Sequence, residues 1–339
     1  MAQVAIVILN YNGRSFLEKF LGRVIDHSAG CDVIVADNAS TDDSVAWMQA
    51  HHPEVQLIKN VINHGFAGGY NVALEQVAHP YYILLNSDVD VPEGWVEPML
   101  SWLESDPKHV ACQPKIKSYA QPDSFEYAGA AGGYIDPLGY PFCRGRIFDT
   151  LEVDQGQYDT PQEVFWATGA CLMIRREAYW AVGGFDNDFF AHMEEIDLCW
   201  RLQQRGYTVG CVPQSKVFHV GGGTLQATSP FKTYLNFRNN LWLLTKNLPG
   251  SRWWWTFPLR LVLDGVAGAK FLIEGKPKHT GMIVKAHWHA FAKLGKMWRK
   301  RGEIVPLKAY PSVNKWLFVE YFLRKKCTYS EIITSKTRG

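Results

Sequence analysis

The sequence predicts an α/β protein with a doubly wound, mainly parallel sheet. Four apolar runs within the first 85 residues end in polar or glycine-rich loops, and helical patterns separate them. Continuously apolar runs of this kind are typical of strands that are covered on both faces. Strands that alternate with helices in this way form parallel sheets with helices on either side.

The elements of this sheet follow one another along the chain. Each strand ends where polar residues or glycines begin, and Ser40 or Thr41 can cap the second helix. The predicted order is strand 4–9, helix 15–24, strand 32–36, helix 44–50, strand 55–59, a glycine-rich loop and helix over 63–76, and strand 81–85.

The loops lack two common phosphate-binding patterns. The first loop does not read G-x-G-x-x-G, and no G-x-x-x-x-G-K-[ST] occurs, so neither a dinucleotide fingerprint nor a P-loop is present. Glycines 65, 68 and 69 follow the third strand instead. Their backbone amides could approach a phosphate or a sugar, or Gly68 and Gly69 could simply let a helix pack closely.

The fourth strand ends in Asn86, Asp88 and Asp90, and Pro92 stops the extended run. Ligands of open α/β sheets bind at the carboxyl ends of the strands. Carboxylates at that edge suit a hard divalent cation that in turn holds phosphate oxygens. Because surface loops also produce Asp-x-Asp pairs by chance, the rest of the chain must support this interpretation.

The chain from 93 to 220 continues the α/β pattern with one long interruption. Residues 119–161 are polar and rich in glycine and proline, which predicts a covering loop or small hairpins beside a site and outside the core. The other predicted elements are helix 95–103, a strand near 110–112, strand 165–174, a helix from 175 to 183, an acidic helix over 192–202, and strands 207–213 and 217–220.

The acidic helix begins with Glu194, Glu195 and Asp197 after an apolar Phe-Phe pair. The helix dipole favours one or two acids at a helix N-terminus. Three acids there favour a catalytic carboxylate. His219 follows a strand further on, but a histidine in that position has several common uses, so the residues alone leave its role open.

Cysteines and charge restrict the setting of the protein. The seven cysteines lack metal-type spacing and several lie in apolar runs, which predicts reduced, buried thiols in a cytosolic protein. The apolar run 4–9 is too short for an N-terminal signal.

Residues 1–250 carry a net charge of −11 and residues 251–339 a net charge of +13. The basic end predicts an anionic partner, either a membrane surface or nucleic acid.

The basic end favours the membrane surface over nucleic acid. Seven of the 13 tryptophans lie between Trp242 and Trp316, and tryptophan is enriched at membrane interfaces. Helical patterns cover 234–246, 253–274 and 279–301; the second carries four charges within an arc of about 120°, and the third has one basic and one apolar face. Both later helices predict peripheral attachment to an anionic inner leaflet. The alternatives are packing on the catalytic domain and a homodimer interface.

These motifs, in this order, resemble the family-2 glycosyltransferases of the GT-A fold, and most closely their bacterial rhamnosyltransferase-like branch. The resemblance spans roughly residues 4–245, which predicts a GT-A domain at 1–245 and a basic, tryptophan-rich helical extension at 246–339. The matching stretches are 4–12, 35–42, 63–71, 85–88, 183–186 and 194–201.

The resemblance implies a role for each candidate residue. Asp88 matches the metal-ligating aspartate, whereas Asp90 stands where the family needs no acid. His219, before the glycine-rich stretch 221–224, falls where relatives place another metal ligand. The pair Glu194 and Glu195 matches the family's Glu-Asp pair, whose second member is the catalytic base, with a glutamate here in place of the aspartate. The implied contacts with the base and ribose of the donor are Leu9, Asn10, Tyr11 and Asp37. Further implied donor contacts are Gly65, Gly68, Asn71 and Asn86.

The implied reaction is an inverting transfer from a UDP- or dTDP-sugar, with Mn²⁺ or Mg²⁺ as the cofactor. A cation on Asp88 and His219 would offset charge on the departing diphosphate, and Glu195 would accept the proton of the acceptor hydroxyl. The acceptor would be a saccharide or a lipid-linked saccharide in cell-surface polysaccharide synthesis, at the cytoplasmic face of the membrane. The alternatives are a nucleotidyltransferase, for which the first loop supplies only Arg14, and a non-catalytic scaffold subunit.

Overall fold

The computed structural model describes residues 3–221, 228–302 and 313–334. Within these ranges nine strands form a main sheet and four short strands form a second sheet. The main sheet contains β1 (Val4–Asn10), β2 (Asp32–Asp37), β3 (Gln56–Lys59), β4 (Tyr81–Asn86), β5 (Val89–Asp90), β6 (His109–Ser118), β11 (Gln162–Glu163), β12 (Cys171–Arg175) and β13 (Thr208–His219).

The main sheet is mixed and mostly parallel, as predicted. Its order is β3-β2-β1-β4-β12-β6-β13-β11, and β5 pairs with β13. Strands β1 to β4 run parallel, as do β6 and β13, while β12 lies antiparallel between β4 and β6. The carboxyl ends of β1, β2 and β4 therefore lie side by side at one edge.

The helices cover both faces of this sheet, which confirms the doubly wound fold class. In β1, Val4, Ile6 and Ile8 join a buried cluster with residues of α1, α2 and α4, whereas Ala5 and Val7 join a second cluster with residues of α3, α5 and α6. The helices are α1 (Arg14–Asp26), α2 (Ser44–His51), α3 (Gly65–Leu74), α4 (Glu97–Ser105), α5 (Arg176–Ala181) and α6 (Glu194–Gln204).

The stretch 119–161 was predicted to lie outside the core, and that prediction is wrong. It does form small hairpins, but Phe125, Ile135 and Phe142 are fully buried within the larger cluster. Strands of two or three residues are too short to show the alternation that marks a buried face. Their bounds are β7 (Gly133–Ile135), β8 (Pro141–Cys143), β9 (Arg146–Ile147) and β10 (Thr150–Leu151).

The C-terminal region is helical and packs on the α/β part. Its last predicted helix is interrupted at Lys293, and no described helix is both long and apolar enough to cross a membrane. Trp253 and Met297 are buried in the same cluster as the sheet, and the predicted boundary at 245/246 falls inside α7. The elements are α7 (Pro230–Asn247), α8 (Gly250–Ile273), α9 (Pro277–Ala292), α10 (Leu294–Arg299), a π-helical turn at Val319–Leu323 and α11 (Tyr329–Thr334).

Lys246 joins α7 to the acidic segment around α6. Its ammonium lies 2.7 Å from Asp186 and 2.8 Å from Asp197, and its side chain is buried. Burial alone would raise the pKa of both carboxyls, but Lys246 together with Lys300 at Asp186 and with Arg201 at Asp197 outweighs it and lowers the pKa of each. Arg201 and Asn247 also donate hydrogen bonds to Asp197. This network holds the start of α6 against α7.

We expect Lys246→Met to lower the free energy of unfolding by about 3–5 kcal/mol at pH 7, because it leaves buried carboxylates without their main cation. A carboxyl with a lowered pKa stabilises the fold above its unfolded pKa and loses that contribution as the pH falls. The deficit should therefore shrink below about pH 4. Urea unfolding of both proteins across this pH range measures it. The exposed Lys278→Met is the control; an equal loss there would contradict the buried network.

Candidate active site

The candidate site lies at the carboxyl edge of β1, β2 and β4. Asn10 stands opposite Asp37 in the register of β1 and β2, and Leu9 stands opposite Asn86 in that of β1 and β4. The Asn10 amide donates a hydrogen bond of 3.1 Å to Asp37 Oδ1. The topology thus brings together four residues that the sequence placed at three separate strand ends.

Asn10 has an unusual polar environment at this edge. Its side chain is buried, and its Oδ1 atom has no hydrogen-bond partner among the described residues. An unpaired buried acceptor is costly, so such an atom often marks a place where a ligand donates a hydrogen bond. Tyr11 follows and is partly exposed. Contact of these residues with a donor base stays a prediction.

The glycines of the 63–71 loop are explained by packing. Gly65 has a φ of +71°, and a Cβ there would collide with the Phe190 side chain. A Cβ on Gly68 would lie 2.8 Å from His64 Cβ, and one on Gly69 would lie 2.9 Å from Asn38 Nδ2. Close packing is therefore sufficient to explain these glycines, and contact of Gly65 and Gly68 with the donor stays a prediction.

Asn71 is also held by hydrogen bonds within the protein. Its amide donates to the Phe185 carbonyl at 2.8 Å and to Asn187 Oδ1 at 2.6 Å. Its Oδ1 accepts from the Tyr179 hydroxyl and from the Phe185 N–H. Both ends of the amide therefore support the turn before α6, and a contact of Asn71 with the donor stays a prediction.

Asp88 and His219 meet although 131 residues separate them. Val89 of β5 pairs with His219 at the end of β13, and His219 Nε2 lies 3.1 Å from Asp88 Oδ1. The other ring nitrogen, Nδ1, lies 3.3 Å from Glu126 Oε2. Both residues are buried, as is Glu126. Of the stretch 221–224 that follows, residues 222–224 lie outside the described residues.

Glu126 is a site residue that the sequence did not reveal. It lies in the 119–161 stretch, where no periodicity or motif singles it out. Burial alone would lower the pKa of His219, but Asp88 and Glu126 outweigh it and raise that pKa to about 10. In this arrangement the imidazole is protonated between two carboxylates, and a divalent cation would have to displace the Nε2 proton to be bound by it.

Asp88 and His219 fit a divalent cation. A carboxylate oxygen and an imidazole nitrogen are both ligand types for a divalent cation such as Mn²⁺, and the two atoms lie 3.1 Å apart. The described residues contain no group of three or more histidine, cysteine or acidic side chains placed to hold a metal. A cation here would therefore depend on phosphate oxygens and water for its remaining ligands.

Asp90 is not directed towards this pair. Its carboxylate accepts a hydrogen bond of 2.9 Å from Arg23, so it is directed towards α1. This ion pair accounts for the Asp90 carboxylate without a cation, and its role as a further metal ligand stays a prediction. Asp90 belongs to β5, whereas Asp88 lies in the turn before it, so the strand does not place the two carboxylates side by side.

The acid pair lies at the N-terminus of α6, and its two members differ. Glu194 is buried, whereas Glu195 keeps partial exposure. Burial raises the pKa of Glu194 well above its ordinary value, and the neighbouring Glu195 adds to the effect. Burial raises the pKa of Glu195 to about 7. Each has an Oε2 atom without a hydrogen-bond partner among the described residues. Glu195 is thus the member suited to exchange a proton near neutral pH.

The loop before this pair is held from α7 and α10. Phe190, His192 and Met193 have positive φ, a conformation that needs support from its surroundings. Asn239 of α7 donates to the carbonyls of Phe189, Ala191 and His192. Lysines of α10 pair with the acids at the start of the loop: Lys296 with Asp188, and Lys300 with Asp186 and Asp188.

The two halves of the site are joined through Gly169. A Cβ on Gly169 would lie 4.0 Å from that of Glu195, and the next residue, Ala170, accepts a hydrogen bond from the Asn86 N–H. On the other side, Thr168 donates to the Ala128 carbonyl, two residues from Glu126. The acid pair and the Asp88–His219 pair therefore border the same edge of the sheet.

Comparison with known families identifies a match over this α/β part. The model described as Glycosyl transferase family 2 matches residues 5–183, which is more than half of the chain. The N-acetylglucosaminyl-diphospho-decaprenol L-rhamnosyltransferase of Mycobacterium tuberculosis is 27% identical over 279 residues, covering 77% of this chain and 89% of that protein. The low-salt glycan biosynthesis hexosyltransferase Agl10 of Haloferax volcanii is 22% identical, covering 70% and 73%.

Solved structures show the same fold. GalNAc-T7 with UDP, GalNAc and Mn²⁺ superposes with a TM-score of 0.58 at 16% identity. The match covers 74% of this chain and about half (49%) of the GalNAc-T7 chain. The mannosyltransferase PcManGT from Pyrobaculum calidifontis, in complex with GDP-Man and Mn²⁺, superposes with a TM-score of 0.50 at 16% identity, covering 88% of both chains.

Proposed function

This chain belongs to glycosyl transferase family 2 and has the GT-A fold, and we propose that it is a metal-dependent, inverting hexosyltransferase that uses a UDP- or dTDP-sugar. The proposal rests mainly on one observation. The Asp88–His219 pair lies at the same sheet edge as Glu194 and Glu195, whose pKa values are raised. Perturbed carboxyls in such a position are typical of active sites.

Glu195 would act as the base in a single displacement. It takes the proton of the acceptor hydroxyl while that oxygen bonds to the anomeric carbon and the bond from that carbon to the diphosphate breaks. Attack opposite the leaving group inverts the anomeric configuration. A divalent cation, Mn²⁺ or Mg²⁺, would supply charge stabilisation for the departing diphosphate. Asp88 and His219 would hold that cation, and Asn10, Asp37, Leu9 and Tyr11 would bind the nucleoside.

We propose a saccharide or lipid-linked saccharide as the acceptor and peripheral attachment at the inner face of the membrane as the location. The mycobacterial relative is named as an N-acetylglucosaminyl-diphospho-decaprenol L-rhamnosyltransferase, which supports a lipid-linked acceptor here. The basic, tryptophan-rich C-terminal region supports the attachment. A homodimer remains compatible with both.

A screen of nucleotide-sugars tests the donor class. We expect one or more UDP- or dTDP-sugars to raise the melting temperature when Mn²⁺ or Mg²⁺ is present, since a ligand at 100 times its Kd stabilises a fold by about 2.7 kcal/mol. Slow release of the nucleoside diphosphate should accompany binding. Binding without any turnover on saccharide acceptors would favour the scaffold alternative, and no metal-dependent stabilisation by any donor would contradict the proposal.

A further inference from the structure

Helix α8 is oriented with charged residues inward. The sequence predicts an amphipathic helix with its charges along one side, but Arg260 and Asp264 on that side are buried. Arg260 lies over the Tyr140 ring at 3.7 Å, donates to the Leu138 carbonyl and pairs with Asp264, which lies 3.2 Å from His287 Nε2. The N-terminal half of the polar stripe of α8, which contains Arg260 and Asp264, therefore packs against the protein.

The opposite stripe of α8 is apolar and faces outward. Trp255, Val262, Val266 and Ile273 are 45%, 64%, 63% and 88% exposed. Their spacing of seven, four and seven residues places them on one side of a helix. A surface helix normally presents its polar side to water, so this arrangement indicates that something other than water covers the outer side.

Helix α9 extends this surface. Val284 and Trp288 are 65% and 74% exposed and lie one turn apart. The two helices pack antiparallel, since Asp264 meets His287 while Phe257 meets Phe291 at 5.8 Å. We call the six side chains the outer apolar face: Trp255, Val262, Val266, Ile273, Val284 and Trp288.

The basic face that the sequence assigned to the membrane is partly used elsewhere. Lys293, Lys296 and Lys300 all lie within 3.6 Å of Asp188, in the loop before the acid pair. These lysines therefore attach the helices to the catalytic part. We therefore attribute the membrane affinity mainly to the outer apolar face, and not to electrostatic binding through these three lysines.

Other cations surround the outer apolar face. Lys270 and Lys276 have side chains 64% and 54% exposed and share Glu274 as an ion-pair partner, and Lys278 and Lys285 are also exposed. Over 250–302 the acids are Asp264, which is buried, and Glu274. This rim complements anionic headgroups, whereas a second copy of the chain would bring the same positive rim against itself.

We propose that the outer apolar face inserts into the headgroup region of an anionic bilayer, with the lysine rim on the phosphates. Interfacial helices bury an apolar side about 5–10 Å deep, and tryptophan is favoured at that depth. The inference builds on the proposed function, because the lysine contacts to Asp186 and Asp188 would hold the acid pair at a set position relative to a lipid-linked acceptor.

Vesicle sedimentation of the full chain tests this surface. The probes are vesicles of phosphatidylcholine with 30% phosphatidylglycerol and vesicles of phosphatidylcholine alone, at about 0.1 M and 0.5 M salt. Wild type should bind the anionic vesicles at both salt concentrations. The double variant Val262→Ser, Trp288→Ser should bind on the order of tenfold or more weakly, since affinity follows buried apolar area. The variant Lys270→Gln, Lys278→Gln should lose only the salt-sensitive part.

Leu151→Ser is the matched control, because Leu151 is an exposed apolar residue in the second sheet, 44% accessible. It should bind vesicles as wild type does. Unchanged binding by the double variant would overturn the proposal. The proposal would also be overturned if the wild type did not bind vesicles and instead formed a dimer that the double variant does not form. Turnover with a water-soluble acceptor, measured without vesicles, should be equal in all variants. If wild type shows no turnover, the proposed function is contradicted, whereas the vesicle experiment still tests the membrane surface independently.

Discussion

Replacing Glu195 by glutamine should lower the rate of sugar transfer by about 10²–10⁴-fold, the usual contribution of a general base. Glutamine keeps the shape of the side chain but cannot accept the proton of the acceptor hydroxyl. Donor affinity should change little, because Glu195 lies on the acceptor side of the proposed reaction. Initial rates with saturating donor, together with the donor Kd from titration calorimetry, measure both quantities.

Glu194→Gln is the matched control for this experiment. Burial and the neighbouring Glu195 keep the Glu194 carboxyl neutral, so an amide is close to what is already present. We expect a much smaller change in rate. If Glu194→Gln abolishes transfer while Glu195→Gln retains it, the base has been assigned to the wrong member.

The pH dependence gives the assignment an independent check. A base acts when it is deprotonated, and burial raises the pKa of Glu195 to about 7. The wild-type rate should therefore rise as the pH increases through about 7 and then level off. The residual rate of Glu195→Gln should lack this rise. A wild-type rate that is already maximal at pH 5 would mean that a group with an ordinary carboxyl pKa acts instead.

Asp88→Asn should abolish metal-dependent donor binding and lower turnover on the order of 10³-fold or more, because stabilisation by the cation is worth several kcal/mol. The change removes a negative ligand beside His219 and leaves the shape of the site almost unaltered. The dependence of donor binding on Mn²⁺ concentration, followed by tryptophan fluorescence, measures the loss separately from turnover.

Asp90→Asn serves as the comparison. The structure pairs Asp90 with Arg23, so this change should cost some stability and leave the Mn²⁺ dependence of donor binding intact. Equal loss of metal dependence in both variants would return Asp90 to the metal site. Retained metal dependence in Asp88→Asn would remove the Asp88–His219 pair from it.

Much of this site could be predicted because parallel sheets have a simple geometry. Strands that are buried on both faces leave a clear apolar signal, and their carboxyl ends must lie together once the strands are parallel. Asn10, Asp37 and Asn86 could therefore be placed on one edge from local patterns. Asp88 and His219 needed the resemblance as well, since nothing in the chain between them indicates that β5 and β13 pair.

Glu126 and Asn71 show where prediction from local patterns fails. Glu126 reaches His219 only because short hairpins fold a stretch without periodicity into the core. The resemblance implied a donor contact for Asn71, but no local pattern indicated that its amide would also bond to a turn 114 residues away. Such contacts depend on long-range packing, which leaves no mark at either residue.

Helix α8 shows the same division in one element. Its sequence specifies two different sides, because helical periodicity gives the angles between residues. It does not specify which side faces the protein, since that depends on Tyr140, Leu138 and His287 receiving Arg260 and Asp264. Likewise, the sequence supplied two adjacent glutamates, but unequal burial made only Glu195 both accessible and suited to accept a proton near neutral pH. Patterns within the chain were sufficient for the fold class and the edge of the site, and the direction and ionisation of individual side chains came from contacts between distant parts of it.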